Sequence, residues 1–307
     1  MPVTQLIGVS TTVADLPRTV AFYHDWLGLE CGVDRVIDDP AWKRLGGLEE
    51  TVTASATSVF VGEQELDLIA FDPPGRPYPA ERASNDQWFE HVSLVTTDIR
   101  AVWERLRGGS PGEITEGGPQ LLPPNTGSVT AFKFRDPEGH PLELIFFPQG
   151  VGSPVWQENK GTGILGYDHT AISVTDVDRS IAFYTELLGF HVGGRSLNRG
   201  IEQDRLDGLI GCEVDVVALK PAVVTMPHVE LLRYRAPTGR TLTSEVRADD
   251  VASTRQIHKV DDLDALVRQL KAADVTFVSP GIVTLKDGER AAAIRDPDGH
   301  MIVLMGD

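Results

Sequence analysis

The sequence predicts an α+β fold of four modules, each of roughly βαβββ type, arranged as two homologous halves. Two repeated patterns predict it. A strand followed by an amphipathic helix occurs at 13–29 (VADLPRTVAFYHDWLGL) and again at 167–190 (YDHTAISVTDVDRSIAFYTELLGF). A strand-turn-strand unit at 134–144 (FRDPEGHPLEL) recurs at 294–304 (IRDPDGHMIVL). These repeats indicate a tandem duplication with two modules in each half.

The clearest strand-helix unit opens the second half. Residues 169–174 have strand composition, Asp176 is placed to cap the following helix, and Gly189 is placed to end it. Between these ends, apolar residues recur at helical spacing at Ile181, Tyr184 and Leu188. A weaker copy at 88–109 predicts another strand, an N-cap at Asp98 and a helix to about residue 106.

The remaining elements follow from composition and turn signals. In the first half we predict strands at 6–13, 65–71, 89–96, 128–134 and 141–147, with a helix at 15–27. In the second half we predict a strand at 223–234, a strand-helix unit at 255–270 and a closing hairpin at 291–305. The predicted domains are 1–148 (modules 1 and 2) and 167–307 (modules 3 and 4), with a linker at 149–166.

Composition and charge narrow the class of protein. The 307 residues are 41% hydrophobic, enough for two ordinary cores. A formal net charge of −17 argues against nucleic acid or an anionic membrane as a partner. Cys31 and Cys212 form neither a disulfide framework nor a metal-type pair, and no leader or membrane-spanning run is present. We therefore expect a cytoplasmic protein acting on a small-molecule substrate.

The motifs VxDxxRxxAFYxxxLG and RDPxGHxxEL, with two modules in each half, resemble the vicinal oxygen chelate superfamily. That superfamily includes glyoxalase I, methylmalonyl-CoA epimerase, extradiol dioxygenases and the fosfomycin and bleomycin resistance proteins. The resemblance covers nearly the whole chain. It implies that modules pair into two half-open β-barrel, glyoxalase-like domains. It also implies that metal ligands come from the first and last strands of each module.

The resemblance places eight possible ligand positions. On the first strands the position lies seven residues before the capping Asp, which gives Gly8, His91, His169 and Arg255. On the last strands the Glu position of the family falls on Asp67, Glu143, Glu230 and Val303.

One divalent metal ion is the cofactor that these positions imply. The first half offers Asp67, His91 and Glu143, and the second-half alternative is His169 with Glu230. Imidazole nitrogen with carboxylate oxygen suits Fe, Mn, Zn, Co or Ni.

Strand periodicity supports the placement of Glu143 independently. Its side chain shares a strand face with Ile145 and Phe147, and a carboxylate among apolar neighbours is costly unless it is paired or coordinated. On the neighbouring segment, His91 shares a face with Ser93. We expect both faces to point into one cavity.

The other polar residues have alternative roles. His169 and Glu230 could form a hydrogen-bonded pair or line a substrate pocket, and Arg255 could bind an anionic substrate group or neutralise Glu230. Turn chemistry accounts for the histidines of the two DPxGH turns. Strand alternation puts His258 on the face opposite Arg255.

The leading functional hypothesis is a metal-dependent lyase or isomerase acting on a small oxygenated metabolite. The metal would chelate two substrate oxygens and stabilise an enolate or oxyanion, with Glu143 and Glu230 as catalytic carboxylates and His169 and Arg255 binding substrate.

The sequence leaves two alternative functions open. One is an extradiol-type Fe(II) ring-cleaving dioxygenase, whose chemistry favours two His and one carboxylate. The other is a metal-free small-molecule binding or resistance protein with an aromatic groove, for which the candidates are Trp42, Trp88, Trp103 and Trp156. Four modules can complete the pairing within one chain, so both a monomer and a homodimer are compatible with the sequence.

Overall fold

A computed structural model describes residues 2–159, 161–241 and 245–306. Module 1 consists of β1 (Val3–Val13), α1 (Leu16–Asp25), β2 (Glu30–Cys31), β3 (Arg35–Val36), α2 (Pro40–Leu45), β4 (Thr53–Val61) and β5 (Gln64–Asp72). Module 2 consists of β6 (Phe89–Thr96), α3 (Ile99–Leu106), β7 (Gly112–Glu113), β8 (Gln120–Leu121), β9 (Thr130–Arg135) and β10 (Pro141–Phe146).

A short helix, α4 (Pro154–Glu158), lies in the predicted linker. Module 3 consists of β11 (Ile164–Ser173), α5 (Val177–Ala182), β12 (His191–Arg199), α6 (Ile201–Asp207), β13 (Glu213–Lys220) and β14 (His228–Ala236). Module 4 consists of β15 (Thr254–Val260), α7 (Leu263–Ala272), β16 (Val283–Thr284), β17 (Arg290–Arg295) and β18 (Met301–Met305).

Each module begins with a strand that passes through an aspartate cap into a helix. The four caps accept a hydrogen bond from a backbone N–H in the first helical turn, and they are Asp15, Asp98, Asp176 and Asp262. The predicted caps at Asp98 and Asp176 are therefore confirmed. The helix after Asp176 differs from the prediction, because α5 ends at Ala182 and a π-helical turn, Phe183–Leu187, continues it.

In the part of the chain that the structure describes, the strands form two mixed sheets of nine strands each. Sheet A joins modules 1 and 4 through the antiparallel pair β1 and β15, and sheet B joins modules 2 and 3 through the antiparallel pair β6 and β11. Neither sheet closes into a full barrel, which agrees with the predicted half-open α+β architecture. The pairing of modules differs from the one the sequence predicted, since each sheet combines a module from each half of the chain.

Two other predicted features are corrected by the structure. The strand predicted from residue 223 begins only at His228, because the N–H groups of Val223 and Val224 both donate to the carbonyl of Thr4 on β1. Between α1 and the strand predicted at 65–71, where the sequence predicted no helix, the structure contains the helix α2, which starts at a proline after the cap Asp39.

One large apolar cluster connects the two sheets with the helices. It includes Phe22 of α1, Val102 of α3 and Leu266 of α7. The same cluster takes Leu94 from β6, whereas the adjacent Val95 belongs to a separate cluster. Strand alternation thus gives each sheet one face for the core and one for a cavity. Within the described residues, no helix combines the length and apolarity needed to cross a membrane.

Modules that follow one another in the chain interlock through their turns. The Nε2 atom of His140 in module 2 lies 2.8 Å from the carbonyl oxygen of Thr12 in module 1. His300 in module 4 makes the same 2.8 Å contact with Ser173 in module 3. Each ring thus joins its turn to the first strand of the preceding module, a contact that the turn chemistry expected from the sequence does not include.

Two arginine–aspartate pairs join the connector between modules 1 and 2 to the connector between modules 3 and 4. In one contact the Arg76 guanidinium donates to both carboxylate oxygens of Asp250. In the reciprocal contact Arg240 donates to both oxygens of Asp86. The connector between modules 1 and 2 is therefore tied to the one between modules 3 and 4.

Candidate metal centre

Four potential ligands converge on the cavity face of sheet B. His91 and His169 lie on β6 and β11, the adjacent first strands of modules 2 and 3. Glu143 and Glu230 lie on β10 and β14, the last strands of the same modules, which run parallel to β6 and β11. All four occupy positions that the family resemblance assigns to ligands. The structure combines them across the two halves of the chain.

The donor atoms of this cluster are close together. The Nε2 atoms of His91 and His169 are 3.3 Å apart, and each lies 3.6 Å from Oε2 of Glu143. Oε2 of Glu230 is 3.5 Å from Nε2 of His169. One ligand atom from each of His91, Glu143 and His169 falls within 4.8 Å of the other two.

The strand faces explain why Glu143 is held in this position. Its register partner on β6 is Ser93, whose hydroxyl donates to Oε2 at 2.6 Å. Ser93 and His91 are two residues apart and therefore lie on one face, as the sequence predicted. Val95 and Ile145 continue this face as an apolar wall.

Buried polar contacts orient the imidazole of His169. Its Nδ1 atom lies 3.1 Å from Oδ2 of Asp168, and the indole N–H of Trp156 in α4 donates to the other carboxylate oxygen at 2.6 Å. Nε2 is thereby directed towards Glu143. A carboxylate behind the ring is the usual arrangement for a metal-binding histidine. His228 adds a further contact, since its Nε2 is 3.4 Å from Oε1 of Glu230.

The electrostatics of the cluster favour a cation. Burial raises the pKa of Glu143, against the opposing charges of His169 and Lys133. Burial also raises the pKa of Glu230, but the charge of His169 and the contact with His228 outweigh it and lower the pKa to about 2. Burial lowers the pKa of His169, but Glu230 and Asp168 outweigh it and raise the pKa to about 9.

His91 behaves differently from His169. Burial, and next the charge of Lys133, hold the pKa of His91 well below its ordinary value, so the ring is neutral. Neutral imidazole is the form that binds metals, so His91 is already in that form, whereas His169 would release a proton when a metal binds. The Nζ atom of Lys133 is itself engaged by Asp207 at 2.7 Å, both being buried.

The residues present fit a divalent metal ion. Nδ1 of His91 has no hydrogen-bond partner in the described part of the chain, and its Nε2 faces Nε2 of His169, an atom that is itself a potential ligand. The distances of 3.5–3.6 Å to the carboxylates are too long for strong hydrogen bonds. Two imidazoles and two carboxylates suit Zn, Fe, Mn, Co or Ni.

A cavity of about 180 Å³ opens beside these donors. Its walls are partly apolar, with Leu122, Val129 and Leu206, and partly polar, with Ser196 and Asn198. A small oxygenated molecule would fit this space.

Two predicted site residues lie elsewhere. Asp67 is on β5 in sheet A, where Oδ1 accepts from Arg35 at 2.8 Å and from Ser58 at 2.7 Å. The structure therefore does not bring Asp67 together with His91 and Glu143. The reason is that β5 pairs with β1 and β4, whereas β6 and β10 belong to sheet B.

Arg255 lies apart from the sheet B donors. It is on β15 in sheet A and is buried, and its guanidinium donates to Ser10, Thr12 and the carbonyl of Ala248. Of its two alternative roles, neutralising Glu230 is contradicted, because Glu230 lies in sheet B beside His169 and His228. Binding an anionic substrate group stays a prediction. His258 is buried on the opposite strand face from Arg255, as the alternation predicted.

Sequence reasoning missed Asp168, His228 and the Lys133–Asp207 pair. The signal for His228 is present in the sequence, because it shares a strand face with Glu230 two residues later. Asp168 directly precedes His169, and strand alternation alone would turn its side chain away from it. The contact depends on the irregular register between β11 and β6 at 167–169.

Paired βαβββ modules with histidine and glutamate on their first and last strands define a class of protein. Comparison of the sequence with family models gives a match to the glyoxalase/bleomycin resistance protein/dioxygenase superfamily at residues 6–144 and 166–304. The chain belongs to this superfamily, with one copy of the domain in each half.

Individual relatives show two types of enzyme. Lactoylglutathione lyase of Arabidopsis thaliana is 24% identical over 295 residues, which cover 95% of this chain and 88% of the relative. A 3-methylcatechol 2,3-dioxygenase of Pseudomonas putida is 30% identical over 99 residues, covering 31% of this chain and 33% of the relative.

Solved structures show the same fold. Glyoxalase I from Zea mays matches with a TM-score of 0.62 at 16% identity, covering 98% of this chain and 92% of that one. A putative dioxygenase from Bacillus subtilis matches with a TM-score of 0.61 at 15% identity, covering 100% and 86%.

Proposed function

We propose that the chain is a metal-dependent lyase or isomerase whose single active site lies in sheet B. The observation that supports it is the convergence of two imidazoles and two carboxylates from modules 2 and 3. These residues are His91, Glu143, His169 and Glu230. They would hold one divalent metal ion, which when bound supplies Lewis-acid polarisation of a substrate carbonyl.

The residues of the chain would bind the substrate and move its proton. Glu143 and Glu230 flank the imidazole of His169 within 3.6 Å, so two carboxylates are available to take a proton from one carbon and return it to a neighbouring atom. Ser93 donates to Glu143 and would hold the orientation of that carboxylate. The apolar wall around the cavity would limit access of water to the reacting atoms.

A specific observation supports a second candidate. His91, His169 and Glu143 by themselves form a set of two histidines and one carboxylate, which is the set used by non-haem Fe(II) oxygenases. The nearby carboxylate of Glu230 favours proton transfer, because an oxygenase of this type has no need of a second carboxylate at the metal. The extradiol-type dioxygenase is therefore the alternative.

The proposal also covers the oligomeric state and the compartment of the enzyme. All four candidate ligands belong to one chain, so a monomer can carry a complete site and a homodimer is also compatible with it. The net charge of −17 and the free Cys31 and Cys212 support a cytoplasmic enzyme with a small-molecule substrate.

The test is elemental analysis of the purified protein after repletion with Fe(II), Mn, Zn, Co and Ni. We expect near-stoichiometric metal in the wild type and its loss in both His91→Ala and His169→Ala. Asp67→Asn is the matched control and should retain the metal, because Asp67 lies in the other sheet. Metal that survives either histidine substitution would contradict the site.

The identity of the metal then selects the assay. If the metal is nickel, zinc or cobalt, the assay is the formation and breakdown of lactoylglutathione, the compound that appears in the name of the Arabidopsis relative. If the metal is iron, the assay is oxygen uptake with 3-methylcatechol, the compound that appears in the name of the Pseudomonas relative. Turnover of the catechol with cleavage of its ring would replace the lyase proposal by the alternative.

A further inference from the structure

The cavity face of sheet A encloses a second and larger space. Its volume is about 640 Å³, against about 180 Å³ beside the candidate metal centre. It occupies the corresponding place in the pair of modules 1 and 4. Three of the four equivalent ligand positions line it, and they are occupied by Asp67, Arg255 and Val303.

These residues do not form a metal site. Val303 has no donor atom, and all three polar groups of the Arg255 guanidinium are engaged by Ser10, Thr12 and Ala248. Among the described residues that line the cavity there is no His and no Cys. The space is large enough for a drug-sized organic molecule.

Asp67 provides a carboxylate oxygen that is available to a ligand. Both of its protein contacts, from Arg35 and Ser58, are made to Oδ1. Within the part of the chain that the structure describes, Oδ2 accepts no hydrogen bond, and the side chain is 25% exposed. A partly buried carboxylate with a free oxygen favours a ligand that donates a charged hydrogen bond.

The charge of the lining favours a cation over an anion. The basic residues among the described lining of the cavity are Arg35, Arg255 and Lys286. The acidic residues are more numerous: Asp38, Asp39, Asp67, Asp287 and Glu289. The chain as a whole carries −17. An anionic ligand would therefore be repelled both during its approach and inside the cavity.

The walls favour a flat apolar body. Leu48, Ile69 and Met301 are buried side chains that line the cavity. Trp42 lines it as well, and its ring is fixed by stacking on Phe71, with centroids 5.8 Å apart and planes at 23°. A pre-positioned indole provides a stacking surface at little entropic cost.

We propose that the cavity between modules 1 and 4 is a second, metal-independent binding site for a flat aromatic cation that donates N–H hydrogen bonds. A charged N–H group pairs with Oδ2 of Asp67, and the aromatic body packs against Trp42 and the apolar wall. This site is separate from the sheet B centre, so it does not depend on the proposed lyase activity.

The test measures binding of proflavine, a planar aromatic cation, to the metal-repleted full-length protein by isothermal titration calorimetry. The anionic dye 1-anilinonaphthalene-8-sulfonate is the comparison. We expect one proflavine per chain and at least tenfold weaker binding of the anion. Asp67→Asn keeps the shape of the side chain and removes its charge, and it should weaken proflavine binding about tenfold or more.

Two further variants complete the design. Glu143→Gln removes a carboxylate of the other cavity, and it should leave proflavine affinity unchanged. Val303→Phe introduces a larger side chain into the lining of the sheet A cavity, and it should weaken proflavine binding while thermal unfolding shows that the protein is folded. The proposal is overturned if proflavine shows no saturable binding, if its affinity is unaffected by Asp67→Asn, or if its affinity falls with Glu143→Gln.

Discussion

At the scale of single residues, the candidate centre depends on side chains other than the four proposed ligands. The imidazole of His169 is fixed by Asp168, which is fixed in turn by the indole of Trp156. Such a carboxylate sets which ring nitrogen carries the proton and leaves the other free to bind. The helix α4, which carries Trp156, thus links the segment between the two halves to the site.

This chain of contacts predicts the effect of Asp168→Asn. The substitution removes the carboxylate charge behind His169, and loss of such a partner typically weakens metal binding 10- to 100-fold. Competition against a chelator of known affinity measures the change. Asp215→Asn, which alters a carboxylate on β13 that pairs with Arg235 outside the cluster, is the control. Unchanged metal affinity in Asp168→Asn would show that the contact has no role in metal binding.

At the scale of elements, the strand-helix unit was the most predictable part of the chain. The reason is that its signals are local: the capping carboxylate bonds to an N–H two or three residues later, and the apolar periodicity lies within one element. The strand Phe89–Thr96 matches its prediction at both ends. The predicted start of β14 is wrong because β1, far away in sequence, accepts hydrogen bonds from the N–H groups of the preceding segment.

The local nature of the caps predicts the outcome of Asp98→Ala. Loss of the hydrogen bond from Asp98 to the Ala101 N–H should lower the free energy of unfolding by about 1 kcal/mol. Urea denaturation measures it, with Arg100→Ala on the exposed side of the same helix as control. An effect no larger than that of the control would show that the cap is replaced by water.

At the scale of the whole molecule, the two sheets do not correspond to the two halves of the sequence. The central strand pairs, β1 with β15 and β6 with β11, both join modules from different halves. The paired arginines Arg76 and Arg240 bind the connectors across the same boundary. Separating the halves would leave β1 and β6 with open edges, and unpaired strand edges associate readily.

A fragment experiment tests this arrangement. Residues 1–148 produced alone should not behave as a stable monomer, and they should self-associate or remain poorly folded. Mixing them with residues 149–307 should restore a complex of one copy each and its metal binding. Light scattering and circular dichroism measure both properties. A monomeric fragment 1–148 that unfolds cooperatively would contradict the interleaved arrangement and support the domains predicted from the sequence.

The sequence by itself determined the number and type of modules. The family resemblance, applied through the local spacing to the helix caps, predicted His91, Glu143, His169 and Glu230 as ligand positions, and strand alternation supported Glu143 independently. Only the tertiary structure decided which positions meet. The first strands of homologous modules offer similar backbone edges, so hydrogen bonding between strands does not distinguish one partner from another. The pairing of β6 with β11, two strands far apart in sequence, brings modules 2 and 3 together, and the pairing of β5 with β1 and β4 leaves Asp67 in the other sheet.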